Sequence, residues 1–137
     1  MEADGGCYCG AVRYHLSGEF LMKMLCYCRE CQHASGGAGT VAAVVPQSAF
    51  AYTRGEPGRF TRSDIAAPVT REFCRDCGTP LLSRSPQVPG AVIVKAGTLD
   101  DPALFGQADS VIFAGEKQVY HACPEGVPVF QTVPSRG

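Results

Sequence analysis

Cys7-Tyr8-Cys9-Gly10-Ala11-Val12-Arg13-Tyr14-His15-Leu16 joins a pair of thiols to an alternating apolar pattern. Val12, Tyr14 and Leu16 share one side and Arg13 and His15 the other, so Ala11 to Leu16 is predicted as a half-buried strand. A second pair also ends in Cys-Gly: Cys74-Arg75-Asp76-Cys77-Gly78. Glycine after the second thiol permits a positive φ, letting the turn aim backbone N–H groups at the sulfurs. Cys7, Cys9, Cys74 and Cys77 together offer four thiolates, the closed tetrahedral set of a structural zinc. Such a clip would span more than half the chain and supply much of its folding free energy.

A third cluster lies between these pairs: Cys26-Tyr27-Cys28-Arg29-Glu30-Cys31. Cys26 and Cys28 leave an extended segment on the same face, and a turn at Arg29-Glu30 brings Cys31 towards them. Three thiolates are the protein share of an open, catalytic zinc. The alternatives are a second closed site, completed by Cys123, His33 or another group, or three free thiols. A divalent ion on three thiolates is a weak Lewis acid but is well matched to an incoming thiol, which ionises on coordination. His15 and His121 read as ordinary strand or surface histidines, and Cys123 as a spare buried thiol.

The chain has 137 residues, 8 of them cysteine, and a net charge of -1. That length suits one domain, and 45% hydrophobic with 18% charged residues excludes a largely disordered one. Val41 to Pro46 is the longest apolar stretch, far short of the about 20 residues that cross a bilayer. The opening Met1-Glu2-Ala3-Asp4-Gly5-Gly6 shows no secretory pattern, so a cytoplasmic protein is expected. A reducing compartment and closely spaced cysteines both favour metal over disulfides. Zinc is the first choice, with iron at a tetrahedral sulfur site as the alternative. The near-neutral charge argues against a nucleic-acid binder.

Further strands are predicted at Gly39 to Val45, Val69 to Phe73, Leu81 to Arg84, Ala91 to Ala96, Ser110 to Phe113 and Gln118 to Tyr120. Phe20 to Cys28 reads as extended. Phe50 to Thr53 and Arg59 to Arg62, around Arg54-Gly55-Glu56-Pro57-Gly58, read as a hairpin. Glu30 to Ser35 is predicted as a short helix ended by Gly36-Gly37, and the proline-rich tail after Cys123 as an irregular strap. The expectation is a mainly β, single-domain zinc-binding fold of twisted antiparallel sheets with one short helix, spanning 5–131 with a tail at 132–137.

The three cysteine clusters resemble those of the glutathione-dependent formaldehyde-activating enzyme family, which includes centromere protein V-like proteins. The matching stretches are Gly6-Cys7-Tyr8-Cys9-Gly10-Ala11-Val12-Arg13-Tyr14, Cys26-Tyr27-Cys28-Arg29-Glu30-Cys31 to Gly36-Gly37, Phe73-Cys74-Arg75-Asp76-Cys77-Gly78 and Ala96-Gly97-Thr98-Leu99-Asp100-Asp101-Pro102. The resemblance implies a structural zinc on Cys7, Cys9, Cys74 and Cys77 and a catalytic zinc on Cys26, Cys28 and Cys31. It further implies joining of glutathione to formaldehyde as S-hydroxymethylglutathione, the reverse being a carbon–sulfur lyase reaction. Tyr27 departs from the family's frequent histidine, and Tyr120 stands where the family often has tryptophan. Tyr27 or His33 could donate a proton, and Arg29, Arg62 or Lys95 could hold a carboxylate of glutathione, with solvated surface charge as the plainer reading of all three cations. The rival function is a non-catalytic zinc module that binds a partner or a small thiol.

Overall fold

The computed structural model describes residues 1–134. Its strands are β1 (Glu2–Gly6), β2 (Arg13–Ser17), β3 (Met22–Cys26), β4 (Thr40–Pro46), β5 (Phe50–Arg54), β6 (Gly58–Thr61), β7 (Thr70–Phe73), β8 (Pro80–Arg84), β9 (Ala91–Lys95) and β10 (Ser110–Ile112), with one α-helix, α1 (Arg29–Ser35). They form a three-stranded sheet, β1-β2-β5, and a seven-stranded sheet, β10-β3-β4-β9-β8-β7-β6. The mainly β architecture with one short helix is as expected. Pairing is antiparallel throughout except that β10 runs parallel to β3.

The two sheets pack through the apolar side of β2. Tyr14 and Leu16, with Val12 just before the strand, are buried against Val45, Leu82, Val92 and Val94 of the larger sheet. On the outer face of β2, His15 sits between Asp4 and Glu2, as the alternation requires. The opposite face of the larger sheet carries a second cluster, in which Met24, Cys26, Ala42 and Val44 meet Cys31 of α1. The three-cysteine group therefore grows out of a packed sheet surface.

Three readings of the sequence need correction. β5 and β6 are not a hairpin: β5 pairs with β2, and β6 pairs with β7. The aromatics decide this, since Phe50 stacks on Tyr14 at 5.2 Å while Phe60 of β6 stays exposed. Gln118 to Tyr120 is a turn closed by His121 N–H to Gln118 O at 3.0 Å, and Val119 is fully exposed, so no burial rewards a strand there. β1, polar and glycine-rich, was not foreseen. Its Gly5 lies under the Tyr14 ring, where a Cβ would stand 2.3 Å from Tyr14 Oη.

The Ala96–Pro102 stretch ties the sheets together. Thr98 Oγ1 lies 2.8 Å from Tyr14 Oη, and Asp100 takes both guanidinium nitrogens of Arg13. Asp100 N–H also reaches Asp4 O on β1 at 2.9 Å. The tail behaves as a strap: Val111 N–H donates to Pro128 O, Phe130 N–H to Val111 O, and Phe113 N–H to Thr132 O. It thereby covers the outer edge of β10, the last three residues of the 132–137 tail lying outside the described residues. No helix among the described residues is long and apolar enough to cross a membrane.

A second tie is electrostatic. Glu72 on β7 is buried between the sheets, accepting from Tyr52 Oη at 2.7 Å, Arg84 Nε at 2.7 Å and Arg59 Nε at 3.1 Å. Burial alone would raise its pKa, but these donors outweigh burial and hold it below the usual carboxylate value. A depressed carboxylate stabilises the fold above its unfolded pKa, and this contribution fades as pH falls through the folded value. Glu72→Gln is expected to cost about 1–3 kcal/mol at neutral pH, the range for disrupted charged hydrogen bonds. The gap to the parent should close in acid. Urea unfolding at several pH values checks this, and a gap that stays constant with pH would contradict it.

Candidate metal centres

The first centre sits where the two sheets meet. Cys7 and Cys9 follow β1, and Cys74 and Cys77 occupy the turn between β7 and β8. All four Sγ atoms lie within 4.8 Å of one another, with 3.6 Å from Cys7 to Cys9 and 3.8 Å from Cys9 to Cys74. Zinc–sulfur bonds of about 2.3 Å in a tetrahedron place sulfurs about 3.8 Å apart, so these thiols fit zinc. Gly10 and Gly78 both take the positive φ expected of them, 80° and 78°. The turns then deliver donors: Val12 N–H reaches Cys7 Sγ at 3.2 Å, and the Thr79 hydroxyl lies 3.1 Å from Cys77 Sγ. The Thr79 hydroxyl and N–H, with the Cys9 N–H, bring the Cys77 thiol down to about 6. Cys9, despite an N–H from Ala11, is pushed up to about 12 by burial and the neighbouring sulfurs. Four thiolates this close would need a cation to share.

At the second centre, Cys26 ends β3 and Cys28 caps the N-terminus of α1, its sulfur accepting from Cys31 N–H at 3.3 Å. The helix turn returns Cys31 to the same point, and the three Sγ atoms lie within 4.8 Å of one another. Hydrogen bonds from Cys26 and Cys28, then from Thr40, hold the Cys31 thiol far below its ordinary value, while that of Cys26 is driven up. Among the described residues neither His33 nor Cys123 joins this group. His33 turns outward on α1, its Nε2 3.5 Å from Arg29 Nη2, and Cys123 packs near Tyr27, Val111 and Ala114.

Gln32, unremarked in the sequence, is buried on α1 and fixes this centre. Its amide nitrogen donates to Tyr27 O and Glu116 O, both at 2.9 Å, and its oxygen accepts from Arg29 and Gln118. Gly39 also has to be small, because a Cβ there would stand 2.7 Å from Cys26 O.

Several sequence readings around the centre are revised. Tyr27 is buried, donates its hydroxyl to Ala122 O and stacks on His121 at 4.4 Å, so it serves the fold rather than a proton transfer. His121 is itself buried rather than a strand or surface residue: Gln118 N–H donates to its Nδ1 at 2.9 Å, and its Nε2 lies 2.5 Å from Gly37 O. Arg62 is paired with Asp64 through two bonds at 2.9 and 2.7 Å, and Arg29 is turned to Gln32. Lys95, by contrast, is not a solvated surface charge. Its Nζ donates to Thr40 Oγ1 at 3.1 Å, and it faces a cleft between α1 and β7–β9.

A family model described as "Glutathione-dependent formaldehyde-activating enzyme" matches residues 2–116. A protein of Emericella nidulans, provisionally named for that activity, is 31% identical over 57% of this chain. The match spans only 40% of that relative's length. A protein of Halomonas elongata with the same provisional name is 28% identical over 73% of this chain and 67% of its own. The crystal structure of a Rhodobacter sphaeroides protein shares the fold, with a TM-score of 0.62 and 22% identity, covering 77% of this chain and 96% of that one.

Proposed function

The chain belongs to the glutathione-dependent formaldehyde-activating enzyme family, and on that premise we propose that it joins a small thiol of the glutathione kind to formaldehyde beside Cys26, Cys28 and Cys31. The observation that carries this reading is the convergence of three sulfurs without a fourth protein donor among the described residues. A zinc ion held there would supply the positive charge that favours the thiolate form of an incoming thiol. The chain's own residues build the place for it. Cys28 is fixed as the helix cap, and Thr40, bonded to Lys95, stands opposite Cys26 on the neighbouring strand. The Cys7, Cys9, Cys74 and Cys77 group has no free position and is assigned a structural zinc.

The substrate sulfur attacks the carbonyl carbon, a C–S bond forms, and the C=O π pair moves to oxygen. The thiol proton ends on that oxygen, carried by solvent in the open cleft. The product is a hydroxymethyl thioether, and the reverse reaction makes the protein a carbon–sulfur lyase. No oxidant or reductant is needed.

Thiols add to formaldehyde unaided, so the test is turnover. Substoichiometric zinc-loaded protein should raise the initial rate of adduct formation above the uncatalysed rate, over many equivalents of product. Protection of only one equivalent of thiol per chain would make the protein a binding module instead.

A further inference from the structure

We propose that Lys95 and Arg71 form a subsite for a carboxylate carried by the thiol substrate. The inference rests on the reading of the three-cysteine centre as the thiol site. Lys95 closes β9 and Arg71 lies on β7, on the same face of the larger sheet, with β8 between them. The register supports this: Arg71 is opposite Ser83, Ser83 opposite Ile93, and Lys95 follows two residues later on that face. Both side chains line one cavity of about 200 Å³ under Ala34 of α1. Lys95 and Thr40 also line an adjoining cavity of about 480 Å³.

Among the described residues, neither cation makes a salt bridge within 4.0 Å. Lys95 donates one hydrogen bond, to Thr40, and Arg71 one, to Ser83 Oγ at 3.4 Å. The adjacent Glu72 points between the sheets and is fully engaged there. Two partly buried cations side by side repel each other unless an anion joins them, and a guanidinium beside an ammonium suits a carboxylate. Thr40, which accepts from Lys95, stands opposite Cys26 in the β3–β4 register, which places the subsite next to the three-cysteine centre. A thiol held at the three-cysteine centre would thus bring its own carboxylate over these cations.

Calorimetry on zinc-loaded protein, with glutathione and its dimethyl ester, tests the assignment. The parent should bind glutathione about tenfold or more tightly than the ester. Arg71→Met should weaken glutathione about tenfold, with ester affinity and zinc content unchanged, and Lys95→Met should weaken glutathione by at least as much. Arg71→Met is the cleaner variant, since Arg71 makes no bond to Thr40. Equal binding of acid and ester by the parent overturns the subsite and leaves the thiol site standing. Variants that weaken both ligands alike, or neither, also overturn it. If the parent binds neither ligand, the thiol-site reading falls as well.

Discussion

Cys74→Ser is expected to leave the chain without a cooperative unfolding transition and with strongly reduced β-sheet dichroism at neutral pH. Cys74 is 1% exposed at the end of β7, and its partners Cys7 and Cys9 follow β1 of the other sheet. With zinc bound, the centre would be a covalent-like link between sheets that otherwise meet through apolar side chains and the Glu72 and Asp100 ties. Structural zinc binding is worth about 10–16 kcal/mol in small zinc-dependent folds, against a typical net stability of about 5–15 kcal/mol. A hydroxyl is a poor replacement for thiolate, so one substitution removes a large part of the margin. Denaturant titration with zinc analysis checks this. A variant that lacks the zinc yet unfolds cooperatively near the parent midpoint would show that the core alone suffices.

Cys31→Ser should do the opposite: keep the fold and lose the chemistry. Cys31 belongs to the centre on the outer face of the larger sheet, away from the interface between sheets. The cap that starts α1 survives, because Cys28 accepts from the backbone N–H of residue 31, which serine retains. The expected stability cost is about 1–2 kcal/mol, ordinary for a buried polar change. One zinc per chain should be lost, and thiol–formaldehyde addition should fall to the uncatalysed rate. If Cys31→Ser and Cys74→Ser behave alike, the division into a structural and a reactive centre is wrong.

The cysteine clusters were legible because their chemistry is local. Spacing alone grouped Cys26 with Cys28 and Cys31, and the Cys-Gly turns announced the N–H donors at Cys7 and Cys77. Alternation likewise identified β2, whose Val12, Tyr14 and Leu16 side carries the core. What stayed hidden depends on pairing. Arg54 to Gly58 reads as a turn, but nothing local says that the strands on either side belong to different sheets. β1 is held through backbone bonds and a glycine under Tyr14, which leave no apolar pattern. Lys95 looked like any surface lysine until the register of β9 against β4 set it beside Thr40. His121 lies far along the chain from Tyr27, and their stacking follows from the path of the tail.

Zinc-edge X-ray absorption, on protein loaded with two zinc ions per chain and then given glutathione, bears most directly on the central claim. Four cysteines at one centre and three at the other give an average of about 3.5 sulfurs per zinc without glutathione. The account predicts a rise to about four when glutathione is added, as its sulfur takes the open position. An average already at four before addition, or one that glutathione leaves unchanged, would contradict an open centre that receives a thiol.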